Sequence, residues 1–509
     1  MEQWTDDFGV QFEKDENGIV SLLKAPENIT EYAIPDFVTK IKKHAFSECK
    51  EVTNITIPNS VSEIFVTAFR GCSKLTKFIV GTDNPNFSSE NGLLLSNDKS
   101  LLFQCGEGLT SVSIPNSVTE IYDRAFEGCS RLTKIIVDAD NPKFSSGNGL
   151  LLNKEKTSLL RCGPGVTSVS IPNSVTGINI KAFLGCDKLK DITIPNSVTV
   201  IGWRVFILAA LIKIFKDCSG LININVDTDN PKFSSENGLL LNKDKTSILY
   251  CGQGRTSISI PNSVTEIDPN AFEGCSRLTS FIVSADNPNF SCENGLILNK
   301  EKTSILHCGP GVTSVSIPNS VTEIYDRAFE DCSKLTNFIV DDDHPNFACE
   351  NGLLLNKDKS VLLRCGEALT SITIPNSVTE IGNSAFYSCT GLTGITIPNS
   401  VTRIGRSAFA YCESLTSITI PNSVTEIGNS AFYSCTGLIG ITIPNSVTKI
   451  GRSTFDSCTG LTSITIPNSV TKIGEGAFED CGNLVVHLSS KSLLKDEDFN
   501  SCTVIRDLP

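Results

Sequence analysis

Residues 372–392 read "ITIPNSVTEIGNSAFYSCTGL", and residues 418–438 repeat those 21 letters without one change. A catalytic site needs unlike residues converging on one point. A repeated phrase demands instead a repeated structural unit that buries its apolar side against its own neighbours. The tetrad "IPNS" occurs eleven times, with prolines at 58, 115, 172, 195, 261, 318, 375, 398, 421, 444 and 467; "IPDF" at Pro35 is a degenerate twelfth copy. From Ile374 onward the step is a strict 23 residues, and earlier steps are 23, 57 or, once, 66. Each long interval therefore carries one additional coil of about 34 residues, the difference between the two steps. "NPNF", "NPKF" or "HPNF" marks it, followed by "NGLLL" or a close variant.

One unit, Cys412 to Phe432, shows what each position is for. Leu415, Ile418 and Ile420 follow an L-x-x-I-x-I pattern whose end alternates as a half-buried strand does, so Ser417 and Thr419 face outward. Pro421 lacks a ladder donor and belongs at the strand's end, where Asn422 and Ser423 form a turn. Val424 and Ile427 turn back inward, Gly428 is expected to permit a bend, and Ala431-Phe432 with Cys435 closes the coil. Such a loop cannot bury its inner face alone; stacked about 4.8 Å from its neighbours it can. Stacking builds ladders of like residues, among them Phe386, Phe409, Phe432, Phe455 and Phe478. In the long units, "GLLLNKDKTSLLRCG"-type text is two apolar strands around a polar turn, a predicted β-hairpin.

The phrases "IPNSVTEIGNSAFYSCTGLTGI" (374–395) and "NPNFSSENGLLLSNDKSLL" (84–102) resemble the BspA-like leucine-rich repeat class and its extended coils. The resemblance spans about residues 30–485. It implies a β-rich (α/β-type) repeat solenoid: a leucine-rich-repeat-like curved superhelix with a parallel β-sheet along one face and short turns or helical segments on the other. It also implies a non-enzymatic surface protein that adheres to, or captures, host or neighbouring-cell proteins. The expected domains are an N-terminal cap at 1–33, a single solenoid at 34–485 with about 12 short and 5 long coils, and a C-terminal cap at 486–509. An insertion near 203–214 is read as a bulged turn, with a binding knob around Trp203 as the alternative.

Composition narrows the function classes. A formal charge of −13 disfavours nucleic acid and anionic lipid, and no apolar run reaches the length of a membrane span. The acidic start "MEQWTDDFGV" lacks a secretory signature, so a cytoplasmic repeat scaffold stands beside the cell-surface reading. The 20 cysteines fall mostly in stacked ladders, too far apart rung to rung for disulfides, and are read as small buried thiols. His44, His307, His344 and His487 are scattered, and no C-x-x-C, G-x-S-x-G or phosphate-binding glycine loop occurs. No catalytic residue, cofactor or metal is expected. Acidic loops such as "VDADNP" (137–142) and "VDDDHP" (340–345) are read as loop starts in which Asp bonds nearby amides, with Ca²⁺ ligation as the lesser reading. The candidate binding face is the outward Ser/Thr set: Ser371, Thr373, Thr396, Ser417, Thr419, Thr442, Ser463 and Thr465. A monomer presenting this face to a protein ligand is the expected working form.

Overall fold

In the structure, a computed structural model, residues 2–201, 214–215, 217–482, 484–499 and 502–506 are described. The insertion predicted at 203–214, Trp203 included, lies outside them except for Ile214. The chain forms two compact units, Met1–Arg255 with Val264–Phe272 and Thr256–Ser263 with Glu273–Pro509. Each is a stack of coils joined by parallel β-ladders. Helix is almost absent: among the described residues it is confined to Ile214–Phe215 and a 3-10 turn at Asp496–Phe499. The helical segments allowed for on the outer arc are replaced by turns.

The predicted inward and outward positions of the coil are borne out in the 23-residue array. Strand Ser417–Thr419 buries Ile418 and exposes Ser417 and Thr419, and Leu415, Ile420, Val424 and Ile427 are buried. Phe386, Phe409, Phe432, Phe455 and Phe478 stack with ring centroids 4.8–5.5 Å apart and planes within 12° of parallel. Each fully buried ring contributes roughly 1.5–3 kcal/mol by leaving water.

Two features differ from the expectation. First, each coil carries a second parallel strand. The "T-E-I-G" segment pairs Glu380–Ile381, Arg403–Ile404, Glu426–Ile427, Lys449–Ile450 and Lys472–Ile473 into a ladder of two-residue rungs. Second, the outward sheet is not one continuous flank. It is divided into short parallel sheets, three strands at Glu31–Ala33, Asn54–Ile57 and Lys77–Val80, two at Ser111–Ile114 and Lys134–Val137, and so on. The long one, of six strands, runs from Gly394–Thr396 to Thr503–Arg506.

The long coils cause the division. Each folds a three-stranded antiparallel meander, such as Phe87–Glu90, Leu93–Ser96 and Leu101–Cys105. The predicted hairpin is its second and third strands. The third then joins the parallel ladder of the next coil through Leu101↔Glu120 and Leu102↔Ile121.

The tail adds rungs to the sheet: Val485–Leu488 pairs Ser463–Ile466, and Thr503–Arg506 pairs Val485–Leu488. At the other end, Glu2–Thr5, Gln11–Lys14 and Val20–Lys24 form a meander that feeds Lys40–Ile41.

Candidate functional site

The six-stranded sheet places the candidate residues in register. Thr396, Thr419, Thr442 and Thr465 are direct cross-strand partners, and an isolated bridge adds Thr373. The next rungs are His487 and Ile505. A parallel column alternates Gly394, Ser417 and Gly440. All eight predicted residues are exposed, because strand alternation turns the intervening isoleucines inward.

Ser417, Thr419, Thr442, Ser463 and Thr465 line a shallow groove of about 1220 Å³, whereas Ser371, Thr373 and Thr396 extend the ladder beyond it. Sequence reasoning missed the groove's other polar groups: Asn422, Asn445 and Asn468 of the "IPNS" turns, with His487 and Ser489. The asparagines are turn formers in sequence, and their 23-residue spacing also places them on one edge.

The two ladders of these coils divide the chemistry between them. The two-residue ladder carries charge, with Arg403 bound to Glu380 at 2.7 Å and Lys449 bound to Glu426 at 2.5 Å. The groove is lined by no Asp, Glu, Lys or Arg. These exposed ion pairs contribute at most about 1 kcal/mol each and chiefly set the character of that face.

A second cavity, about 290 Å³, sits among Asp326, Arg327, Glu330, Arg364, Glu367, Tyr387 and Arg406. Its charges are largely spent on one another. Arg406 holds Asp326 at 3.0 Å, Arg327 meets Glu330 at 3.5 Å, and the Arg364 guanidinium donates to the carbonyls of Asn383 and Asp326. Burial pushes the Glu367 carboxyl well above its ordinary range. This is a stitched seam between coils rather than an open pocket.

The remaining singled-out residues are structural. Asn84, Asn141 and Asn230 are buried in the "NP" turns. Each side-chain amide donates to two carbonyls of an earlier coil, and each amide oxygen accepts two backbone N–H groups. His344 reproduces this role, with Nε2 on the Pro318 carbonyl and Nδ1 accepting from Asn346 and Phe347. Asp138 and Asp227 accept the amides of Asp140 and Asp229 at 2.9 and 3.0 Å, the loop-start role expected of them. The ladder cysteines are buried and donate weakly to the preceding coil: Cys412 to the Phe386 carbonyl, Cys435 to Phe409 and Cys458 to Phe432, each at 3.1 Å. Burial pushes these thiols up.

A leucine-rich cell surface protein from Faecalibacterium prausnitzii is 22% identical, with 100% of this chain and 99% of that chain covered and a TM-score of 0.33. The T. pallidum leucine rich repeat protein TpLRR is 38% identical over 26% of this chain and 66% of its own, with a TM-score of 0.24. The pneumococcal vaccine antigen PcpA is 16% identical, with 100% and 99% covered and a TM-score of 0.23. No curated protein matches the chain. Residues 23–146, 156–236, 245–345 and 360–485 match the family model described as BspA type leucine rich repeat region (6 copies). The chain belongs to the BspA-type leucine-rich repeat family.

Proposed function

We propose that the chain is a non-enzymatic binding protein that works in adhesion or ligand capture at a cell surface, and that its outward Ser/Thr face takes a protein ligand. The observation that carries this reading is the in-register column Thr373, Thr396, Thr419, Thr442 and Thr465, of which Thr419, Thr442 and Thr465 line a groove larger than a small-molecule pocket. Repetition lets many weak contacts add, so no single residue dominates. Against catalysis stands the kind of residue on the face, since a row of like hydroxyls lacks the unlike acid, base and nucleophile that chemistry needs.

The test uses the full chain with a photoreactive amino acid at Thr442 or, as control, at Ser434 on the outer arc. Both are exposed to intact cells and to extracted surface proteins. Protein adducts from position 442 that are absent from position 434 support the face. Adducts from the outer arc alone, or none, reject it. Protease treatment of intact producing cells tests the location, since a surface protein is cut and an internal one is spared.

The second reading, an intracellular scaffold, is favoured by the ladder cysteines, such as Cys412, Cys435 and Cys458, which are buried as thiols against backbone carbonyls.

A further inference from the structure

We infer that the partner segment is an uncharged, extended stretch of polypeptide rich in hydroxyl and amide side chains, held without ion pairing. This rests on the reading of the Ser/Thr face as a binding surface and names what that face selects.

In a chain of net charge −13, nineteen residues line the groove and none is Asp, Glu, Lys or Arg. The same coils do carry charge, on their other ladder: Glu380, Arg403, Glu426, Lys449 and Lys472 stand at successive rungs. Charge is thus sorted away from one face coil after coil. A charged partner group docked in the groove would give up water and meet no carboxylate, ammonium or guanidinium in return, which disfavours it. A hydroxyl or amide meets Ser417, Thr419, Asn445 and Asn468, each able both to donate and to accept. The threonine methyls and Pro444 and Pro467 supply apolar contact between those polar points.

The groove's size and chemistry decide among neutral ligands. At about 1220 Å³ it exceeds the roughly 300–1,000 Å³ of small-molecule pockets. No Phe, Tyr or Trp lines it, and its one ring, the His487 imidazole, stands beyond the last threonine rung, so a sugar or a base finds no row of rings on which to stack. An uncharged polypeptide segment is what remains.

The experiment selects random dodecapeptides on the full chain, with counter-selection on the T419R/T442R double variant. Both positions are exposed, and an unchanged thermal melt confirms that the variant folds. If it does not, the exposed single variant T465R replaces it. Selected peptides are synthesised and their affinity is measured in low and high salt.

Groove-dependent peptides of zero net charge, enriched in Ser, Thr, Asn, Gln and Gly, are expected. Their affinity should change less than about 3-fold between the two salt conditions, since no screened charge pair contributes. Groove-dependent peptides that carry net charge, or that lose about 10-fold in salt, overturn this inference and leave the binding face intact. If no peptide distinguishes the chain from its variant, the inference and the binding face both fail. Neutral glycans that bind the chain, and not the variant, in place of peptides overturn the choice of polypeptide.

Discussion

Gly428 has no left-handed backbone, yet a β-carbon there would stand 2.6 Å from the Gly405 carbonyl carbon. Its neighbours at Gly405, Gly451 and Gly474 are equally crowded, at 2.7, 2.5 and 2.2 Å from backbone atoms of the coil before. The glycine expected to permit a bend instead permits contact between coils, which no single coil could reveal. Gly440, on the exposed face of the same coil type, meets nothing within 4 Å. Gly428→Ala should therefore destabilise by about 1–3 kcal/mol through overpacking, while Gly440→Ala stays within about 1 kcal/mol of the parent in chemical denaturation. The outer arc holds the opposite case. Asp331 stands at φ 63°, where the equivalent Gly71, Gly128 and Gly274 stand at 82°, 79° and 76°. Burial, then Glu273 and Glu330, push its carboxyl up from 3.8 to about 7. The folded chain holds that proton more tightly than the unfolded chain, so stability falls as pH rises from about 4 to about 7 and is level above. Asp331→Gly should stabilise by about 1–3 kcal/mol at pH 8, a figure discounted for the carboxyl's partial exposure. Below pH 4 only the relief of the left-handed backbone, about 1–2 kcal/mol, should persist in thermal melts.

At the scale of the element, the alternation of Leu415, Ile418 and Ile420 was legible because a strand's period of two is written in consecutive residues. The two-residue "E-I" rungs were not, since strands that short carry no periodicity and exist only because an equal pair lies beside them. The first strand of each meander had a signal that went unread. Asn91 and Gly92 turn at φ 52° and 79°, a pair of left-handed residues that makes Asn-Gly a hairpin turn, and it recurs at Asn148-Gly149, Asn237-Gly238, Asn294-Gly295 and Asn351-Gly352. At two of the five long coils an arginine spans the gap that the meander leaves, where the others carry Gln104, Tyr250 and His307. Arg364 donates to the Leu363 and Asn383 carbonyls at 2.8 and 2.6 Å and to the Asp326 carbonyl at 2.6 Å. Arg161 makes the same bridge between Lys181 and Asp123 in the other unit. A lysine carries one point of charge and no fork. Arg364→Lys should cost about 1–3 kcal/mol, with faster hydrogen exchange confined to the coils around Asp326 and Asn383.

Across the whole chain, 20 cysteines, all among the described residues and none in a disulfide there, give a direct readout of how completely the coils close. Cys292, Cys349 and Cys502 are partly exposed and the other seventeen are buried. A thiol reagent should label at most those three in the native protein and all twenty after denaturation. Labelling of ladder cysteines such as Cys412 or Cys435 under native conditions would contradict the closed stack. The repeat period, the inward residues and the family were determined by the sequence itself, because each depends on spacing within one coil, and 23-residue steps leave a single way to keep the apolar positions together. The tertiary structure decided the rest. Meanders divide the outward face, so the continuous flank expected from the repeats is a six-stranded sheet near one end preceded by shorter ones. In the 23-residue coils, the sorting of charge onto one ladder and hydroxyls onto the other likewise appears only after stacking. The physical reason is common to both: side chains 23 or 57 residues apart acquire their neighbours from the pairing of coils, and a linear reading sees only the neighbours along the chain.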